Sequence, residues 1–133
     1  MRQVGELIGD KRGQALVELA LVLPLLIILL MGTMEFGRIF HSYLLITNAS
    51  REGARAGITS QTDSEIITKV KDVAATLNLT DAQITITPNQ SARTRGVPLT
   101  VKVDYSVNLI TPVLDTIIPN PFPLSATTVM RME

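Results

Sequence analysis

Residues 11–32 read KRGQALVELALVLPLLIILLMG: two cations and a glycine, then a run that is apolar apart from one acid, Glu18. Between Glu18 and Glu35 lie sixteen uncharged residues dominated by Leu, Ile and Val. At a helical rise of about 1.5 Å per residue they span roughly 24 Å. Ala15 to Val17 on one side and Phe36 on the other bring the run close to the minimum for a hydrocarbon core of about 30 Å. The reading is a single transmembrane helix. The other reading, a core helix of a globular protein, needs surrounding layers, and the rest of the chain offers little to enclose so uniform an apolar cylinder. Pro24 lies inside the run. It has no amide hydrogen, so the carbonyl of Ala20 loses its helical partner and a bend or loosening is expected.

On the amino-terminal side, residues 1–13 form a short polar leader with Gly5, Gly9 and Gly13 and no periodic apolar face. Lys11 and Arg12, with Arg2 upstream, favour a cytoplasmic amino terminus, a bias weakened by Arg38 and Arg51 beyond the run. A secretory signal peptide would need a small-x-small cleavage site directly after the apolar stretch. The nearest such triplet, Ala54 to Ala56, lies about twenty positions too far.

On the carboxyl side, Ile39, Tyr43, Ile46, Ala49, Gly53 and Ala56 recur every three or four residues, so the helix is expected to leave the bilayer as a stalk and to end near Ala56. Ala49, Gly53 and Gly57 fall four apart and make a strip without bulk where another backbone or a sheet can approach. Glycine inside a helix costs about 1 kcal/mol relative to alanine, which points to close packing; the alternative is that Gly53 and Gly57 mark a fraying end.

The remaining chain alternates signals for one helix and three strands. Thr62 and Glu65 fit a capping box, and Ile66, Val70, Val73 and Leu77, widened by Ile67 and Ala74, form one face of a helix that Asn78 can stop. Ile84 and Ile86 alternate before Pro88. In the stretch from Val97 to Leu109 every odd residue is apolar or aromatic and the even ones from Thr100 to Asn108 are polar, a strand with one buried and one wet face. Arg93 and Arg95 are expected on a solvated turn, residues 111–123 as a proline-marked connection, and residues 124–132 as a closing strand. The fold class is α+β: a long amino-terminal helix, a second helix, and a small antiparallel sheet covered on one face by either helix.

Chemistry finds little purchase. Charge balances at twelve of each sign, so no basic surface suggests nucleic acid. The chain has no cysteine and a single histidine, His41, too few ligands for a catalytic zinc, and His41 is expected near the lipid surface, where a Ser/His/Asp triad is hard to assemble. No phosphate loop follows a strand. Asp63, Asp72, Asp81, Asp104 and Asp115 are scattered as solvated faces are. The reading is a non-enzyme without metal or cofactor.

Glu18 is then the most unusual group. A carboxylate within a bilayer costs a few kcal/mol unless partnered, though near a helix amino end negative charge is favoured and the group can simply mark the interface. The stretch from Gly13 through QALVE to Glu18 and on through LALVLPLL resembles the prepilin processing motif, in which a prepilin peptidase cuts after a glycine and the fifth mature residue is glutamate. Together with NASREGARAG, residues 13–57 resemble the TadE-like family of minor pilins or pseudopilins of the tight adherence (Tad, Flp) pilus; type II secretion pseudopilins share the processing logic.

The resemblance implies a leader of residues 1–13 removed between Gly13 and Gln14, a transmembrane and stalk helix over 14–57, and an extracytoplasmic domain over 58–133. It implies a single-pass protein of the bacterial inner membrane that assembles, as a homo- or hetero-oligomer, with other pilin-like subunits and the pilus assembly platform in adhesion or secretion. Cleavage would free an ammonium on Gln14, and Glu18, one turn away or on a neighbouring subunit, would be its counter-charge. Pro24, Ala49, Gly53 and Gly57 are the candidate helix-packing positions. The competing reading is an uncleaved, signal-anchored extracytoplasmic binding module whose helix only tethers it.

Overall fold

The structure, a computed structural model, describes residues 11–59, 62–112 and 114–132; the leader positions Arg2, Gly5 and Gly9 lie outside the described residues. Helix α1 spans Lys11–Ile58, 48 residues, a rod about 72 Å long. It begins slightly earlier than expected, so Gly13 and Gln14 are already helical, and it runs through Pro24 without interruption. Gly53 and Gly57 both lie inside it.

Helix α2 covers Asp63–Val73, and its start is the expected capping box. The Thr62 amide donates to Glu65 Oε2 at 2.8 Å, and the Glu65 amide donates to Thr62 Oγ1 at 3.3 Å. The periodic pattern continues past Val73, but the backbone tightens into a 3-10 turn over Ala75–Leu77. Asn78, in the left-handed region at φ 49°, then ends the helical path.

Three strands follow: β1 Ile84–Thr87, β2 Pro98–Val107 and β3 Phe122–Arg131. They form one antiparallel sheet in the order β1-β2-β3. Ile84 sits opposite Val103, Val103 opposite Ala126, and Leu99 opposite Met130. This register puts the apolar alternation of all three strands on one side, since a slip of one residue would turn each strand inside out.

Both helices cover that side. Ile46, Ala49 and Ala54 of α1, Ile66 and Val70 of α2, and Leu99, Val101 and Val103 of β2 make the centre of the core. Of the expected α1 face, Ile46, Ala49 and Gly53 are buried, Ile39 and Ala56 are half-buried, and Tyr43 is exposed. Within the core, Ser50 Oγ lies 2.8 Å from Thr128 Oγ1 and also donates to the Thr47 carbonyl at 2.9 Å, so its burial leaves no polar atom unpaired. On the opposite, wet face, Lys102 Nζ stands 2.9 Å from Asp104 Oδ2; its hydrogen bond, helped by one from Ser125, holds the Asp104 carboxyl below its ordinary value.

One expectation is overturned. Arg93 is not on a solvated turn: its side chain is 4% exposed and pairs with Asp63 in the first turn of α2. Its Nε also donates to the Pro88 carbonyl at 3.1 Å. The polarity of the surrounding loop concealed a guanidinium that locks that loop onto a helix start, where Asp63 is favourably placed. Arg95 is exposed.

Candidate functional site: the apolar helix and the turn where it meets the domain

The two halves of α1 meet different surroundings. From Gly13 to Leu30 every residue is exposed, including Leu21 at 74% and Leu25 at 68%. This segment has the length and composition to cross a membrane, and nothing in the described residues covers it. Gly13 and Gln14 lie in the first turn of α1, with open space around Gly13. Glu18 is exposed on the same bare cylinder and meets no partner among the described residues. Pro24 is exposed too.

Ala49, Gly53 and Gly57 are all buried. A Cβ placed on Gly53 would overlap Val70 Cγ2, with Val101 and Ile66 just behind, and one on Gly57 would overlap Leu99 Cδ2 and press on Ile66. The small-residue strip is therefore filled by α2 and the sheet of the same chain. Gly32 and Gly37, by contrast, have nothing within 4 Å.

Between these halves stands a group that the sequence presented only as the end of the apolar run. Glu35 is 3% exposed, and both of its oxygens are engaged. Oε1 accepts from Arg38 Nη1 at 2.7 Å. Oε2 accepts from the Ile110 amide at 3.1 Å, the Thr111 amide at 3.3 Å and the Thr111 hydroxyl at 3.1 Å. Such charge-assisted bonds are stronger than neutral ones, and here they fasten the β2–β3 connection to α1 one residue beyond Met34. Met31, Met34, Arg38 and Ile110 complete the recess around the carboxylate. Leu109 and Asn120 close the same connection at its neck, the Leu109 amide donating to Asn120 Oδ1 at 3.1 Å.

Residues 13–55 match the TadE-like protein family model. No curated protein and no solved structure matches the chain. The TadE-like segment lies wholly inside α1 and takes in Gly13, Glu18, Glu35 and Gly53. Its first part is the bare apolar cylinder, and its last part is the strip on which the sheet and α2 pack. The sequence signal for Glu35 was faint: an acid at the edge of an apolar run with Arg38 one turn on. Its other partners lie 75 and 76 residues away, beyond any local pattern.

His41 is exposed on α1. Among the described residues no group of three His, Cys, Asp or Glu could hold a metal ion.

Proposed function

We propose that this chain is a TadE-like minor pilin or pseudopilin, a non-enzymatic structural subunit in the assembly of a Tad-type pilus or related secretion apparatus. The observation that carries the proposal is the coincidence of the family match over residues 13–55 with a helix whose first half is bare and apolar on every side while its second half is built into a domain. A helix apolar all round is at home in lipid or among other apolar helices, and the other described residues provide neither.

In this reading the amino end lies in the cytoplasm and the α+β domain outside the inner membrane. A prepilin peptidase cuts between Gly13 and Gln14, and Glu18 neutralises the new ammonium of its own or a neighbouring subunit in a medium of low dielectric. The partners are other pilin-like subunits and the assembly platform. The second reading, an uncleaved anchor, draws on the position of the Gly13–Gln14 bond inside the first turn of α1, because a peptidase needs that turn to open.

The mass of the protein isolated from its native membrane separates the two. A chain beginning at Gln14 is expected, and a chain retaining residues 1–13 would contradict processing. Glu18→Ala is expected to abolish co-isolation with pilin-like subunits; assembly at the normal level would remove the counter-charge role.

A further inference from the structure

Outside α1, the large apolar side chains exposed among the described residues are few: Ile110 at 70%, Ile117 at 74% and Val129 at 58%. Two of the three sit in the connection between β2 and β3, so their place relative to the apolar cylinder matters. Gly57 faces Leu99, and Gly53 faces Val101. Ser50 bonds Thr128, which is paired with Val101. At the other end Glu35 bonds Ile110 and Thr111.

β2 therefore runs antiparallel to α1. The two paths agree in length: the helix from Gly57 back to Glu35 covers about 33 Å, and the chain from Leu99 to Ile110 covers roughly 36 Å if extended. The β2–β3 connection is the end of the domain nearest the apolar cylinder, and Glu35 fixes it at the level where that cylinder ends. On α1, Phe36 and Phe40, one and five residues beyond Glu35, are exposed at 73% and 58%.

We propose that the β2–β3 connection is a membrane-contacting foot. In the membrane-resident protein Ile110 and Ile117 lie in the interfacial layer of the leaflet from which α1 emerges, together with Phe36 of α1, so the domain rests on the bilayer. The occupant of this surface is lipid, because Ile110 shares a recess with Met31 and Met34 at the end of the apolar cylinder, and Ile117 is exposed on the same connection. Exposed apolar and aromatic side chains beside a span suit the interface, where an apolar body and nearby polar backbone are both accommodated. Arg38, half-exposed beside Glu35, can meet lipid phosphates at that depth. The proposal rests on α1 crossing the membrane, and its test keeps the two claims apart.

The chain has no cysteine, so single substitutions Ile117→Cys, Val129→Cys and Leu25→Cys can each carry a polarity-sensitive fluorophore. The full chain is reconstituted in phosphatidylethanolamine and phosphatidylglycerol vesicles containing lipids with a nitroxide quencher either near the headgroup or near the end of the acyl chain. At position 117 the expected result is blue-shifted emission lost to the shallow quencher. Position 129, paired with Thr100 at the far end of the sheet, should be unaffected by either quencher, and position 25 should be lost to the deep one. Quenching at 25 without quenching at 117 overturns the foot and leaves the anchor intact. Absence of quenching at both positions overturns the two together. Emission at 117 that ignores lipid quenchers but follows the ratio of labelled to unlabelled protein also overturns the foot and assigns the patch to a second copy.

Discussion

The first and second halves of α1 are one continuous helix with opposite side-chain economies. Leu, Ile and Val crowd residues 19–30, where none of the other described residues packs, whereas Ala49, Ser50, Gly53, Ala54 and Gly57 occupy the turns on which the sheet and α2 pack. Bulk is found where no other described residue folds against it, and smallness where α2 and the sheet do. The difference shows that the apolar half is shaped for a solvent or partner outside the chain, while the other half is shaped by the chain's own sheet. In water the apolar half would be a severe liability, since soluble monomers rarely expose contiguous apolar surface of that extent.

The sharpest way to break this contrast is to exchange bulk between the halves. Gly53→Leu should cost the domain about 3 kcal/mol or more, because its Cβ already overlaps Val70 and stiff branched neighbours stand behind it. Gly32→Leu, with nothing within 4 Å, should leave domain stability unchanged. Denaturant unfolding of the full chain in detergent, followed by near-ultraviolet circular dichroism, measures both. Equal effects at the two sites would mean that the strip is not the packing face.

Next in size is the junction itself. Glu35→Ala leaves two amides and a hydroxyl without their acceptor, a loss of about 2 kcal/mol. It should appear as faster hydrogen exchange confined to residues 108–112, with the sheet centre around Val101 and Val103 still protected. Unchanged exchange at Ile110 and Thr111 would show that Glu35 does not hold the connection.

The smallest effect lies farthest from the apolar half. Hydrogen bonds from the Thr62 amide and hydroxyl hold the Glu65 carboxyl below its ordinary value. A depressed carboxylate stabilises the fold above its unfolded-state pKa, and that contribution is lost as pH falls through the folded-state value. Glu65→Gln should therefore flatten the acid side of the stability profile and leave the profile's shape near neutrality alone. An acid limb as steep as in the original chain would place the titration elsewhere.

Local patterns carried most of the fold. The period of α1, the capping box at Thr62 and the alternation from Leu99 to Val107 each state their structure within a few residues. The small-residue strip was readable as a surface of close approach because glycine at helical spacing has few other uses, although the sequence did not say which element would fill it. Arg93 is misread and Glu35 left without a role for one shared reason: each is a charged side chain whose meaning depends on partners 30 to 76 residues away. Locally, one looked like the edge of an apolar run and the other like a polar turn. Long-range polar anchoring leaves no periodic trace, so it emerges only when the packing is known.

The central claim is that the bare half of α1 is a surface for association in the membrane, with Glu18 part of that surface. The most direct test replaces residues 15–34, Glu18 and Pro24 included, with leucine and follows the full chain in its native membrane. The account predicts an inserted protein whose domain keeps its hydrogen-exchange protection but which no longer co-isolates with pilin-like subunits. Undiminished co-isolation would contradict it, because any greasy tether would then serve as well.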